Sequence, residues 1–473
     1  MRIVLPVVFV AFLLAWSPAS RAQDPAAEDV PALIFDAHVA LQWMPLDAYE
    51  DDGLILPITV NGHATYAEVD TGSTLPGSVL LSSKLLSEAE KAKFGKPVVT
   101  EAYGGTKFYP RARVAELTIG GIYMKNEPVT VTDQSFGRDA RVQATIGIDF
   151  LRKWALQVEW QQHRARFLIG GDLPKGAATI PVRIDPKSRF ATLDATICGV
   201  TVAAVLDSGA DNDVNLVPER EELQGCVHKR SDIRSMGSGG PLVSGRVSIP
   251  SIEIGGIRRG SIFASIDPAG GPLSGHGFAA SIGYGVLRRS SFVLDAGGGG
   301  LLLYGADRTA DVLDPSHVGI QFREDLDGLL ITHLMLGSPA SETTLKPGGR
   351  ICALNGETIA ELKGRYGDIN PPVGQTVQVR ICGGETVSIV ARDYLGAAEL
   401  AARFASAPPT PIVEPVGVGR VTEAFDRCTT ASGREAANAC SIVLNAPGIS
   451  TPWKDLARAR RSAVLPGLAG PGE

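Results

Sequence analysis

The stretch VAAVLDSGADNDVNLV (202–217) decides the fold, because TYAEVDTGSTLPGSVL (65–80) repeats its pattern with the aspartate 137 residues earlier. Each copy sets an apolar run ahead of Asp, a hydroxyl residue and Gly, and each continues into another apolar run. Aligned on Asp70 and Asp207, the likeness spreads outward. Gly62 and Gly199 both stand eight residues before their aspartate, where a tight turn between two strands is expected. Downstream, LTIGGIYMKNEPVTV (117–131) pairs with IEIGGIRRGSIFASI (252–266), and ATIGIDFL (144–151) pairs with ASIGYGVL (280–287). A hairpin closes each half, ALQVEWQQHRARFLI (155–169) and SFVLDAGGGGLLLY (291–304). A single Asp-Thr-Gly is weak, because Asp and Gly are common in turns. Landmarks repeated in one order predict two similar β-lobes, at residues 50–172 and 173–305. A pseudo-twofold between the lobes would bring equivalent residues together.

At these residues the sequence resembles the aspartic proteases, both retropepsins and the two-lobed pepsin-like enzymes. VLDSGADNDV is closest to the retropepsin signature and EVDTGST to the pepsin form. The Ile-Gly pairs at 146–147 and 282–283 resemble the element that packs behind each catalytic loop. The resemblance implies a mainly β fold with two retropepsin-like β-barrel lobes in one chain, and Asp70 and Asp207 as a catalytic dyad. Two carboxylates held close share one proton, so one serves as base and the other as acid. Gly72 and Gly209 give the loops a sharp turn and room for each other. Thr71 and Ser208 resemble the family's interlocking hydroxyl pair. Ser73 can donate to the Asp70 carboxylate whereas Ala210 cannot do so for Asp207, so Asp70 is expected to carry the charge and Asp207 the proton. Asp211 matches the position that binds substrate backbone, although its usual Arg partner is replaced by Tyr284.

The family also needs flaps over the cleft. EAYGGTKF (101–108) and SMGSGGPL (235–242) fit them, with Tyr103, Gly104 and Gly105 at one tip and Gly237 and Gly239 at the other. Two ordinary surface hairpins are the plainer reading of the same glycines.

Beyond the lobes, GLLITHLMLGSPASETTLKPGGRICALNGETI (328–359) resembles a PDZ domain of bacterial exported proteases, here residues 306–395. By that resemblance a carboxylate-binding loop falls near Asp327, Gly328, Leu329 and Leu330, and a C-terminal peptide is the implied ligand. A module that only packs is the alternative. A Pro-rich linker (396–416) then leads to a short helical hairpin within 417–473.

Composition bounds the rest. The chain has 473 residues and a net charge of -6, which offers no basic surface for nucleic acid. Arg2, the apolar run Ile3–Trp16 and Ser20-Arg21-Ala22 read as a signal peptide (1–22), against an uncleaved anchor. Residues 23–49 form an N-terminal segment that either masks the cleft as a propeptide or does not. Cys198 and Cys226, Cys352 and Cys382, and Cys428 and Cys440 each share one segment, so three local disulfides are expected in a periplasmic or secreted protein. The cysteine and histidine spacings match no zinc site, and no metal or other cofactor is expected. The expected partner is a polypeptide substrate. With both aspartates on one chain, a monomer suffices for activity. A non-catalytic envelope scaffold on the same duplicated fold is the rival reading.

Overall fold

The structure is a computed structural model, and it describes residues 32–35, 42–46, 53–77, 79–133, 140–169, 179–217, 220–225, 230–267, 271–304, 316–325, 328–362, 369–396, 420–445 and 451–464. The signal peptide, Cys226, Asp327 and the Pro-rich linker of the sequence reading lie outside these residues.

Alternating and β-branched sequence produces strands throughout. The first lobe contains β1 (Ala32–Phe35), β2 (Met44–Pro45), β3 (Ile55–Val60), β4 (His63–Val69), β5 (Val79–Ser82), β6 (Gly95–Ala102), β7 (Gly105–Ile119), β8 (Ile122–Thr132) and β9 (Val142–Ile146). The hairpin β10 (Trp154–Glu159) and β11 (Arg164–Ile169) follows. The second lobe contains β12 (Ile180–Pro181), β13 (Arg183–Ile184), β14 (Ala191–Ile197), β15 (Val200–Asp207) and β16 (Val214–Leu216). It continues through β17 (Arg230–Gly237), β18 (Gly240–Ile254), β19 (Ile257–Ile266) and β20 (Ala280–Gly283) to the hairpin β21 (Ser291–Asp295) and β22 (Gly300–Tyr304).

The two lobes pair their strands in the same way. Strand β4 runs parallel to β9 and β5 parallel to β8, with β5 antiparallel to β9. In the second lobe β15 runs parallel to β20 and β16 parallel to β19, with β16 antiparallel to β20. The expected tight turns are present: Asn61-Gly62 and Cys198-Gly199 both have positive φ at both residues, which suits the right-handed twist of the strands they join. Alternate side chains of these strands fill one large core cluster that runs through both lobes, including Leu56, Val69, Ile146, Leu206 and Ile282.

The two closing hairpins form one structure. Strands β10 and β21 pair antiparallel, with Leu156 opposite Leu294 and Val158 opposite Phe292, in a six-stranded sheet ordered β12-β22-β21-β10-β11-β2. Backbone hydrogen bonds therefore join the lobes. Trp160 is buried there; its indole N–H donates to the Leu287 carbonyl at 3.3 Å and its ring meets Tyr284 edge-on at 5.7 Å. Two strands of the 23–49 segment also enter the first lobe. Strand β1 pairs with β8 and β2 with β11, and Met44 and Leu46 are core residues.

The next sheet has the order β23 (Ile320–Asp325), β24 (Gly328–Leu334), β25 (Arg350–Leu354), β27 (Thr376–Ile381), β28 (Thr386–Val390), with β26 (Glu357–Thr358) paired to β25. It has its own core, including Leu329, Ile331, Ile351 and Val379, and Cys352–Cys382 joins β25 to the end of β27. The sheet docks on the second lobe. The Gln321 side chain accepts from the Arg234 N–H and donates to its carbonyl, Ser231 donates to the Leu336 carbonyl, and Asp232 accepts from the Leu336 N–H.

The C-terminal region holds three helices rather than the expected hairpin: Arg420–Thr430, Gly433–Asn445 and Thr451–Val464. Cys428–Cys440 staples the first two. Phe425, Cys440, Val443 and Ala457 join the core cluster of the lobes, so the helices bury their apolar faces against the first lobe. This is how so short a helical unit finds a core.

Candidate active site

Asp70 follows the end of β4, and Asp207 is the last residue of β15. The parallel strand behind each fixes the loop. The Asp70 N–H donates to the Ile146 carbonyl at 3.0 Å and the Ile148 N–H to the Ser73 carbonyl at 3.0 Å. The Gly283 N–H donates to the Asp213 carbonyl and the Tyr284 N–H to the Ala210 carbonyl, both at 2.8 Å. A side chain at Gly147 or Gly283 would collide with these loops, since a Cβ there meets the Ser73 carbonyl at 2.8 Å or the Asn212 carbonyl at 2.0 Å.

The two aspartate loops exchange four hydrogen bonds across the seam. Thr71 Oγ1 donates to the Leu206 carbonyl at 2.7 Å and accepts from the Ser208 N–H at 2.9 Å. Ser208 Oγ donates to the Val69 carbonyl at 2.7 Å and accepts from the Thr71 N–H at 3.0 Å. Thr71 is 1% and Ser208 2% exposed, so water cannot replace these partners.

The structure brings Asp70 and Asp207 together across the seam. Each faces the other loop's glycine. A Cβ at Gly72 would lie 2.4 Å from Asp207 Oδ1, and one at Gly209 would lie 2.4 Å from Asp70 Cγ. Neither glycine is among the positive-φ residues, so what they supply is space rather than a special turn. Burial raises both carboxyl groups above the ordinary range. Backbone N–H donors from Gly72, Ser73 and Gly209 hold Asp70 back, whereas the neighbouring Asp70 charge pushes Asp207 well up. Asp207 is thus pushed further above the ordinary range than Asp70. Ser73 contributes through its backbone N–H. The two titrations belong to the pair.

The flap hairpins β6–β7 and β17–β18 meet tip to tip. The Gly239 N–H donates to the Tyr103 carbonyl at 2.6 Å, and a Cβ at Gly104 would lie 2.4 Å from the Gly240 carbonyl. Gly104 and Gly105 are exposed and Gly237 packs under Tyr103. Tyr103 reaches across the seam, and its hydroxyl donates to Asp267 Oδ2 at 2.7 Å.

Asp211 is exposed, and the buried acid beside it is Asp213, 2% exposed, which pairs with Arg289 at 2.8 Å through both carboxylate oxygens. The arginine sought directly after Gly283 thus arrives one helical turn later, past the apolar residues 284–287. Gly328, Leu329 and Leu330 lie on β24, which has β23 on one side and β25 on the other. Strand addition has no open edge there; the outer strand at this end of the sheet is β23. Cys198 is disulfide-bonded, and its expected partner Cys226 lies outside the described residues. Asp267 was not singled out from sequence, because IDPAG reads as an ordinary turn.

Residues 56–150, from β3 to the helical turn after β9, match the family described as aspartyl protease. The aspartic proteinase from Irpex lacteus is a similar solved structure, at 13% identity and TM-score 0.38, covering 58% of this chain and 100% of that one. No curated protein matches the sequence.

Proposed function

We propose that this chain is an exported aspartic endopeptidase in which Asp70 and Asp207 activate water against a peptide bond. The carrying observation is the pair of half-buried carboxyl groups, each seated against the other loop's glycine, on two loops locked together by four hydrogen bonds. Ionised Asp70 takes a proton from water as its oxygen attacks the scissile carbonyl carbon, and Asp207 gives its proton to the carbonyl oxygen. The resulting diol collapses when the proton on Asp70 passes to the amide nitrogen, the C–N bond breaks and one diol hydroxyl returns its proton to Asp207, which restores the dyad. The extended substrate lies between the lobes beneath the flaps. Disulfides at Cys352–Cys382 and Cys428–Cys440 fit an oxidising compartment, as does the leader-like N-terminus. The β23–β28 module serves as a peptide-recruiting domain, and β23 is the edge at which a C-terminal peptide would add.

The test is cleavage of a peptide library by the wild type, Asp70→Asn and Asp207→Asn, with and without pepstatin. Loss of cleavage in both variants and in pepstatin supports the dyad. Cleavage that survives both substitutions refutes it, and no cleavage by the wild type favours the scaffold reading.

A further inference from the structure

The second lobe carries a small apolar cluster separate from the main core: Val205, Val217, Leu273 and Phe278, with the half-buried rings of Phe190 and Tyr103 packed on it. Side chains alternate along a strand, so Val205 shares the face of β15 that presents Asp207. The cluster is therefore beside the dyad. Phe190 meets Phe278 edge-on at 6.0 Å, forming an aromatic wall. At the end of the cluster stands Asp267, 5% exposed, fixed by its N–H bond to the Leu216 carbonyl at 2.9 Å.

One member of this cluster is foreign to the lobe. The Tyr103 ring comes from the first lobe's flap, and its hydroxyl is the donor to Asp267. The same residue's carbonyl is the flap-tip contact with Gly239. Parting the tips to admit a peptide therefore draws Tyr103 out. What stays behind is a slot of two valines, a leucine and two phenylalanines, ending in a buried carboxylate that has lost a charge-assisted bond. A phenylalanine entering it would fill the walls but leave that bond unmade. A tyrosine would fill the walls and restore the bond, as Tyr103 does. A lysine would bring charge, but its ammonium would shed its water between two aromatic rings.

We propose that this slot is a substrate side-chain subsite that selects tyrosine, with Asp267 as the specificity-determining residue and Tyr103 as its resident occupant in the closed flap. The proposal deepens the endopeptidase reading and rests on it for the nature of the ligand. Sites built around a substrate hydroxyl discriminate strongly against the analogue that lacks it, because the bond to that hydroxyl is then lost in a buried place.

The experiment measures binding apart from cleavage. Statine-containing peptides that differ only in Tyr, Phe or Lys, placed in turn at each position flanking the statine, are titrated into the full chain by calorimetry. At one position the wild type should bind Tyr over Phe by roughly 10- to 100-fold, the range expected for a hydrogen bond to a charged acceptor. Asp267→Leu, which has no acceptor at similar size, should bring the ratio close to one. Asp267→Asn, which keeps the shape, should leave a ratio of a few-fold and covers the case in which the leucine variant does not fold. A wild-type ratio near one at every position, a preference for Lys over Tyr, an unchanged ratio in Asp267→Asn, or no binding of any peptide overturns the subsite. Tyrosine-selective binding without hydrolysis keeps the subsite and defeats the endopeptidase reading instead.

Discussion

Replacing Thr71 by Val removes one oxygen and leaves the shape of the side chain intact. That oxygen donates to the Leu206 carbonyl at 2.7 Å and accepts from the Ser208 N–H at 2.9 Å, at a residue 1% exposed. Two backbone groups of the other lobe are then buried without partners, at about 1–3 kcal/mol each. The methyl group that takes the hydroxyl's place returns about 1 kcal/mol. The net expected loss is about 1–5 kcal/mol, a large share of a typical stability. Urea unfolding followed by tryptophan fluorescence is a suitable assay, because Trp160 lies buried where the lobes join. Ser208→Ala should behave alike, since its hydroxyl serves the Val69 carbonyl and the Thr71 N–H. The double variant should lose less than the sum, because a seam already parted by one substitution has little left for the second to break. A loss below about 0.5 kcal/mol for Thr71→Val, or strict additivity, would refute the view that these bonds clamp the lobes together.

Other outcomes follow from the same geometry. Gly72→Ala puts a Cβ 2.4 Å from Asp207 Oδ1, so cleavage should fall by orders of magnitude while circular dichroism stays that of the folded protein. Asp207 has a raised folded-state pKa, so the folded protein holds a proton that the unfolded chain releases above about pH 4. Its contribution to stability is therefore full at low pH and lost as pH rises, and Asp207→Asn should show a melting-temperature gain that is absent near pH 3 and grows toward pH 7. An equal gain at both ends would sink that assignment. Arg289→Met strands the buried Asp213 carboxylate and should cost about 3–5 kcal/mol in the same urea assay.

Much of the fold was legible because its signals are short-range and come in pairs. The Asp-hydroxyl-Gly loops, the glycine turns eight residues before them and the Ile-Gly strands behind them are each contained within a few residues, and repetition raised each from a weak cue to a shared pattern. What stayed hidden depends on distant pieces meeting. That β10 pairs with β21 follows from the pseudo-twofold bringing two hairpins edge to edge, and neither hairpin's sequence names its neighbour. That Arg289 pairs with Asp213 depends on how the turn after β20 carries the arginine back to the Asp207 loop, which no short motif records. Asp267 acquires significance from a tyrosine 164 residues away, on the other lobe. Gly328–Leu330 lie on a strand paired on one side with its own hairpin partner β23 and on the other with β25 from further along the chain, and only the second of these pairings is remote in sequence.

The docking of the β23–β28 sheet has a mechanical consequence. Its Gln321, Thr332 and Leu336 grip the outer strand of the second lobe's flap along Ser231–Arg234, while β6, the outer strand of the other flap, is the edge of its sheet beside β7. Of two arms that close on each other, one is bolted to a chassis and the other swings. The hinge stroke of this molecule should fall on residues 95–119, so exchange of their backbone amides with solvent, rather than that of 230–254, sets the tempo at which the cleft opens.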